Sequence, residues 1–143
     1  MDSDYFSRYM IAWNRHDIDA LLDFLTDDAT YADVALNMSS TGKDAIRAFF
    51  EHVQSEFSSD YQFAPGHLVL GPDGYALEWV MSGTHDHDAA NLRATGKSFR
   101  IPGVSVGELR DGRIARNTDY WSLVELFVQI GLMPQPGTAG TTA

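Results

Sequence analysis

Residues 97–121 read KSFRIPGVSVGELRDGRIARNTDYW and contain the signal that decides the fold. Apolar and polar residues alternate with a period of two on both sides of Asp111-Gly112. An Asp-Gly pair between two alternating segments is among the strongest signals for a two-residue hairpin turn. The pattern therefore predicts two long antiparallel strands, at about 97–110 and 113–121.

Two more strands are predicted upstream of this hairpin. Residues 60–70 and 75–85 again follow a period of two, and the turn sequence Gly-Pro-Asp-Gly at 71–74 separates them. A loop is expected over residues 86–96. The second half of the chain thus predicts a sheet of four antiparallel strands.

The first half of the chain has the spacing of helices. Apolar residues recur every three or four positions over 6–13, 18–25 and 46–57, and Asp17 offers an N-cap to the second helix. Residues 30–34 alternate and predict a short strand at most. A Ser122-x-x-Glu125 capping box predicts a last helix after the hairpin.

These elements predict an α+β domain in which one curved antiparallel sheet carries the N-terminal helices on its concave face. Such a sheet closes a cone whose mouth can stay open, so inward-facing polar side chains are the candidates for chemistry. We expect one domain over residues 1–133 and a flexible C-terminal tail over 134–143.

The composition restricts the partners. The 143 residues include 20 Asp and Glu against 10 Lys and Arg, a net charge of −10, which disfavours nucleic acid and anionic membranes. The absence of cysteine excludes disulfides, thiolate metal sites and cysteine nucleophiles. The N-terminus lacks the pattern of a signal peptide, and no segment has the apolar length of a membrane span. We therefore expect a cytoplasmic protein.

Asp119 is the first candidate for a catalytic group. Counting by two from Arg113 places Asn117 and Asp119 on one face of the last strand and Ile114 and Arg116 on the other. Burial without a positive partner raises the pKa of a carboxyl group toward neutrality, where it becomes a useful general acid or base. The alternative is that Asp119 only hydrogen-bonds to the turn into the last helix.

His85 and His87 form a second polar cluster at the end of a strand. At i and i+2 they would share a strand face and could bind a metal ion if a third ligand came from elsewhere. An ordinary solvated loop is the alternative. His85, which is closer to the strand, could also point into the cavity as a hydrogen-bond donor or an acid–base group.

Further residues at inward-compatible positions predict the lining of a cavity. Tyr31 and Asp33 share one face of the short strand, and Asp33 offers a second carboxylate. The other candidates are aromatic or soft apolar side chains, for each of which simple core packing is the alternative: Trp13, Phe50, Trp79, Met81 and Phe99. A cavity lined in this way suits a flat, aromatic or polycyclic ligand.

Several motifs in order resemble a known family. They are Ala-Trp-Asn-Arg-His-Asp at 12–17, Tyr31-x-Asp33, Gly-Lys-Asp-Ala-Ile-Arg at 42–47, Gly-Thr-His at 83–85 and Asp-Gly-Arg-Ile at 111–114. Together they resemble a SnoaL-like polyketide cyclase over about residues 5–134. This resemblance implies the cone-shaped α+β fold of the nuclear-transport-factor-2-like superfamily.

The resemblance also implies a reaction. In these cyclases an Asp on the last strand is taken as the acid–base of an intramolecular aldol ring closure, and Asp119 matches it. Asn117 stands where the family often has His. Asn117, His85 or Tyr31 would donate hydrogen bonds to the enolate oxygen. Such a mechanism requires no cofactor and no metal, and it implies a small hydrophobic or polycyclic substrate.

Three other functions stay open at this stage. One is an isomerase of the ketosteroid isomerase type, and another is an epoxide hydrolase, which the resemblance implies would need an Asp–Arg–Asp arrangement. The third is a small-ligand-binding protein without a competent base.

The mixed polar and apolar outer face of the sheet predicts a homodimer.

Overall fold

The computed structural model describes residues 2–89 and 92–137. Ten elements follow in chain order: α1 (Ser3–Asn14), α2 (Ile18–Asp23), β1 (Leu25–Asp33), β2 (Met38–Thr41), α3 (Lys43–Glu56), β3 (Gln62–Leu70), β4 (Gly74–Thr84), β5 (Ser98–Arg110), β6 (Arg113–Trp121) and α4 (Leu123–Gln129). The last part of the expected tail, 138–143, lies outside the described residues, and 134–137 contain no helix or strand.

One sheet of six strands organises the molecule. Its order is β2-β1-β6-β5-β4-β3, and all neighbours are antiparallel except β1 and β6, which are parallel. The predicted α+β class and the antiparallel arrangement of β3 to β6 are confirmed. The pairing of β1 with β6 joins the two halves of the chain, because it attaches the strand between the helices to the last strand of the meander.

Local signals placed several element ends correctly. The carboxylate of Asp17 accepts a hydrogen bond from the Ala20 amide at 3.1 Å, and the Ser122 hydroxyl accepts one from the Glu125 amide at 3.0 Å. Asp111 and Gly112 have φ values of 53° and 75°, the two left-handed residues that a type I′ hairpin turn requires.

The region after α2 differs from the prediction. The helix ends at Asp23, and a nine-residue strand, β1, begins at Leu25, where the apolar helix pattern was expected to continue. Strand β2 was missed altogether. It pairs with β1 in a hairpin that sets Tyr31 opposite Ser40, a contact between segments too short and too polar to be read from periodicity.

The strict alternation predicted for β6 was wrong at Ile114. In the sheet, Leu109 pairs with Ile114 and Glu108 with Arg116, so Ala115 is the extra residue of a β-bulge. Ile114 and Asn117 are consequently both fully buried, although they are three residues apart. The bulge turns the second half of β6 so that its polar residues face the core.

The core has two parts that leave a space between them. The larger part packs α1, α2 and α3 against the sheet, with Leu21, Ile46 and Phe50 at its centre. The smaller part packs α4 against β5. Met81 and Trp121 contact both parts. Across the described ranges, none of the helices combines the length and the hydropathy that crossing a membrane would take.

Candidate active site

Asp119 lies on the inner face of β6, and only 8% of its surface is exposed. The Tyr31 hydroxyl donates a hydrogen bond to its Oδ2 at 2.5 Å. The Ser105 hydroxyl and the Asn117 amide donate to its Oδ1 at 2.5 Å and 2.8 Å. All three donors are uncharged, so the carboxylate is held in place without a cation to neutralise it.

The sheet register brings this network together from three strands. Asp119 pairs with Asp33 on the parallel strand β1 and with Ser105 on the antiparallel strand β5. Tyr31 lies two residues before Asp33, so its side chain projects to the same face. The site therefore depends on the β1–β6 pairing, which no local sequence pattern reports.

Gly103 allows a tryptophan of β4 to reach the network. Trp79 pairs with Gly103, and a Cβ added to that glycine would lie 2.3 Å from the indole ring. The ring thus crosses β5 at the glycine, and its Nε1 donates to the Ser105 hydroxyl at 2.9 Å. The bond from Trp79 polarises the Ser105 hydroxyl and so strengthens the hydrogen bond that Ser105 donates to Asp119.

Gly107 lets a tyrosine ring of β4 cross β5 in the same way as Gly103 does for Trp79. Tyr75 pairs with Gly107, and a Cβ there would lie 2.6 Å from the phenol ring. The Tyr75 hydroxyl donates to the Asn117 side-chain oxygen at 2.5 Å, which leaves the Asn117 amide group to donate to Asp119. An amide at 117 therefore supplies a fixed, uncharged donor where a histidine would add a titratable one.

Residues 103–107, Gly-Val-Ser-Val-Gly, also match the sequence pattern G-x-S-x-G of the nucleophile elbow in serine hydrolases. That motif needs a sharp strand-to-helix turn and a histidine beside the serine. Here the segment lies inside β5, and the Ser105 hydroxyl is bonded to Trp79 and Asp119. Its small residues serve the packing of the aromatic rings, and Ser105 is a hydrogen-bond donor to the acid.

A cavity of about 300 Å³ opens beside Asp119, between the two parts of the core. Its wall is mostly aromatic and aliphatic. Besides Asp119, it includes these predicted residues: Trp13, Tyr31, Asp33, Phe50, Trp79 and Met81. Residues that sequence reasoning did not single out complete it, among them Tyr9, Phe57, Leu92, Ser105, Trp121 and Phe127.

Three predicted site residues lie elsewhere. Asn117 is behind the wall and acts only through Asp119 and Tyr75. Phe99 packs under α4 in the smaller part of the core. His85 is fully buried, its Nδ1 accepts a hydrogen bond from the Thr95 amide at 3.1 Å, and its ring stacks on Phe57. It holds the loop after β4 and does not line the cavity.

Neither histidine of the polar cluster belongs to a metal centre in the described part of the chain. No group of three or more His, Asp or Glu side chains there has an arrangement that could hold a metal ion. The backbone amide of His87 instead donates to the Phe57 carbonyl, so this cluster fastens the loop to the end of α3.

Burial dominates the electrostatics of the cavity. It raises the pKa of Asp119 from 3.8 to about 6, although the three hydrogen bonds oppose the shift. Burial likewise raises the pKa of Tyr31 well above its usual value, so Tyr31 stays a protonated donor at neutral pH. A carboxyl group with a pKa of about 6 can gain and lose a proton near neutral pH, which is the property that general acid–base chemistry requires.

Asp33 is the second buried carboxylate of the cavity. Its Oδ2 accepts from the Trp121 indole at 3.0 Å and its Oδ1 from the Leu36 amide at 2.9 Å. Burial raises its pKa as well, and these hydrogen bonds oppose the shift. Both carboxylates thus face one largely apolar space, each fixed by neutral donors.

The raised pKa of Asp119 predicts how stability depends on pH. The folded protein binds this proton more tightly than the unfolded chain, so the unfolding free energy falls as the pH rises from about 4 to about 7. A shift from 3.8 to about 6 corresponds to about 3 kcal/mol. Urea unfolding at pH 4 and pH 7 should reveal this loss in the wild type relative to Asp119→Asn. An equal pH dependence in the two proteins would contradict it.

The fold and the cavity together define a class: a cone-shaped α+β protein that encloses a buried acid. Within that class, the sequence model of the SnoaL-like domain matches residues 6–117, so the chain belongs to the SnoaL-like family. The predicted resemblance is confirmed. Asp119 lies two residues beyond the matched segment.

Solved structures of similar proteins agree with this fold. A proposed polyketide cyclase from Xanthomonas campestris is 26% identical, with 90% of this chain and 95% of that chain covered and a TM-score of 0.75. IdmH, a proposed polyketide cyclase from Streptomyces antibioticus, is 21% identical over 90% and 97% of the chains, with a TM-score of 0.78. A hypothetical protein of ketosteroid isomerase-like fold from Catenulispora acidiphila is 21% identical over 93% and 96%, with a TM-score of 0.79. A search of curated proteins returned no match.

Proposed function

We propose that this protein is a cofactor-independent cyclase that closes a ring in a polyketide or related intermediate by intramolecular aldol addition. The observation that carries the proposal is Asp119, a carboxylate buried in an apolar cavity and bonded only to neutral donors. The SnoaL-like family and the cyclase names of two structural neighbours support the same reaction class.

The hydrogen bonds of Asp119 indicate which oxygen reacts. Oδ1 accepts from both Ser105 and Asn117, whereas Oδ2 accepts only from Tyr31. A carboxylate oxygen has two acceptor positions, so Oδ2 keeps one for a substrate proton. We assign the proton transfer to Oδ2.

The proposed reaction balances without a cofactor. Asp119 removes a proton from a methylene group that a neighbouring carbonyl makes acidic, which leaves an enolate. The enolate carbon attacks a second carbonyl of the same chain and forms the new C–C bond. The resulting alkoxide takes the proton back from the Asp119 carboxyl group. The aromatic wall holds the two ends of the substrate together and excludes water.

The proton-transfer step can be tested with a simple ketone. We expect purified protein to accelerate deuterium uptake at the α-carbons of 2-tetralone in D₂O, measured by NMR, in proportion to protein concentration and unchanged by EDTA. The rate should rise with pH through about 6, because the ionised form of Asp119 is the base. If the protein binds 2-tetralone but does not accelerate its deuterium uptake, the protein is a ligand-binding protein without a base, and the proposal is overturned.

A second candidate reaction is isomerisation. Asp33 places another carboxylate of raised pKa on the same wall, which would suit moving a proton between two carbons of one ligand. An epoxide hydrolase is less well supported, because Arg116 is bonded to Glu108 at 3.2 Å on the other face of the sheet. Loss of activity in Asp33→Asn as large as in Asp119→Asn would favour the isomerase.

We also propose that two copies associate through the outer face of the sheet. Val106 and Tyr120, on the neighbouring strands β5 and β6, are 36% and 47% exposed there. A mass in solution of twice 15.9 kDa, reduced to the single value by Tyr120→Arg, is the expected result of sedimentation analysis.

A further inference from the structure

Tyr9 is a buried residue of the cavity that the proposed mechanism leaves unused. It lies on α1 with 3% of its surface exposed and lines the same space as Asp119. Among the described residues, two buried side-chain polar atoms make no hydrogen bond, the Tyr9 hydroxyl and His85 Nε2. Of these two residues, only Tyr9 belongs to the cavity wall.

The other buried hydroxyl and indole donors of the wall already donate to acceptors within the protein. Tyr31 and Ser105 donate to Asp119. The indole groups of Trp79 and Trp121 donate to Ser105 and Asp33. Among the described residues, the Tyr9 hydroxyl is therefore the buried donor of the wall that makes no hydrogen bond, and Trp13 and Tyr31 are its polar neighbours.

We propose that the Tyr9 hydroxyl is the docking point for an oxygen atom of the ligand, a ketone or enolate oxygen on an otherwise flat and apolar skeleton. The inference deepens the proposed function, on which it rests, because it adds the group that would hold the reacting carbonyl while Asp119 removes the neighbouring proton. A buried donor left unpaired is costly, so the site should discriminate against a ligand of equal shape that lacks the oxygen.

The chemistry of the phenol agrees with this role. Burial is the main cause that raises the pKa of Tyr9 well above its usual value, and the nearby Asp119 charge adds to it. The hydroxyl thus keeps its proton at neutral pH and acts as a donor to an oxygen that gains negative charge. Trp13, one turn further along α1, would pack against the ligand skeleton.

The test compares two probes of the same shape, 2-tetralone and the hydrocarbon tetralin. All three tryptophans of the chain line the cavity, so their fluorescence reports binding of either probe. We expect wild-type protein to bind the ketone about tenfold more tightly than the hydrocarbon, the worth of one net hydrogen bond. In Tyr9→Phe the ratio should fall to about one, while tetralin binds as before.

The control is Tyr120→Phe, which removes a phenol hydroxyl from the outer face and should keep the wild-type ratio. The urea midpoint of Tyr9→Phe should equal or exceed that of the wild type, because the lost hydroxyl has no partner in the protein. An unchanged ketone preference in Tyr9→Phe, a lowered midpoint, or failure of the wild type to bind either probe would overturn the inference.

The two proposals fail in different ways. If Asp119→Asn abolishes deuterium uptake while Tyr9→Phe keeps the ketone preference, the base is right and the docking point is wrong. If the ketone preference depends on Tyr9 but the wild type accelerates no exchange, the oxygen site is right and the cyclase is wrong.

Discussion

Replacing Asp119 by asparagine is expected to lower the rate of deuterium uptake from 2-tetralone by about 10²- to 10⁴-fold, the usual contribution of a general base. Asparagine keeps the size of the side chain; its Oδ1 can still accept from Ser105 and its Nδ2 can donate to the Tyr31 oxygen, but its amide accepts no proton at neutral pH. The affinity for 2-tetralone should change little, because the aromatic wall and Tyr9 are intact. The substitution should therefore lower the rate of proton transfer and leave ligand binding unchanged.

The control for this variant is Asp33→Asn, which removes the other buried carboxylate of the cavity. We expect Asp33→Asn to lower the rate of deuterium uptake by less than about tenfold, since Asp33 is not the proposed base. Circular dichroism and urea unfolding should show both variants folded. A fully active Asp119→Asn protein would reject the assignment of the base.

Gly107→Ala should be the most damaging small substitution in the sheet. An added Cβ would lie 2.1 Å from the Arg116 carbonyl oxygen and 2.6 Å from the Tyr75 ring, so β5 and β6 would have to separate and the ring would have to move. Overpacking of this kind costs about 3 kcal/mol. Urea unfolding should show this loss, and the Tyr75 bond to Asn117 should be lost with it.

Gly71→Ala is the matched control. Its Cβ would lie 3.7 Å from the nearest atom, the Gly74 carbonyl oxygen, which is an ordinary contact. We expect a change within about 0.5 kcal/mol. If the two alanine variants are equally stable, the Tyr75 ring does not cross β5 at Gly107 as described.

The sequence allowed a good prediction of elements whose signals are local. The Asp111-Gly112 turn, the Asp17 and Ser122 caps and the period of two in β4 and β5 each depend on neighbouring residues, and each is confirmed. The β-bulge at Ala115 and the short strand β2 depend on the register with which one strand pairs with the next. Periodicity does not report such pairings, so both were missed.

The cavity could be predicted only in part, for a related reason. Inward-facing aromatic residues such as Trp13 and Trp79 were found by counting along single elements. Their role as wall or core depends on how rings cross neighbouring strands, and Gly103 and Gly107 decide this for Trp79 and Tyr75. The alternation of Gly, Ser and Gly at 103, 105 and 107 was the available signal, since three small residues on one strand face leave room for large side chains from the next strand.

His85 illustrates the opposite error. A histidine at the end of a strand near polar residues was expected to face the cavity. Its Nδ1 is instead bonded to the Thr95 amide, and its ring lies against Phe57. These contacts join the end of β4 to Thr95 and to the end of α3, so they depend on packing between elements and not on the pattern within one element.

The account depends on Asp119 being an acid held in a dry cavity, and its carboxyl group can be titrated directly. With aspartate labelled by ¹³C at the carboxyl carbon, and the Asp119 resonance assigned by its loss in Asp119→Asn, the chemical shift should change with a midpoint near pH 6. A midpoint at or below 3.8, the ordinary value of a solvated aspartate, would contradict the account.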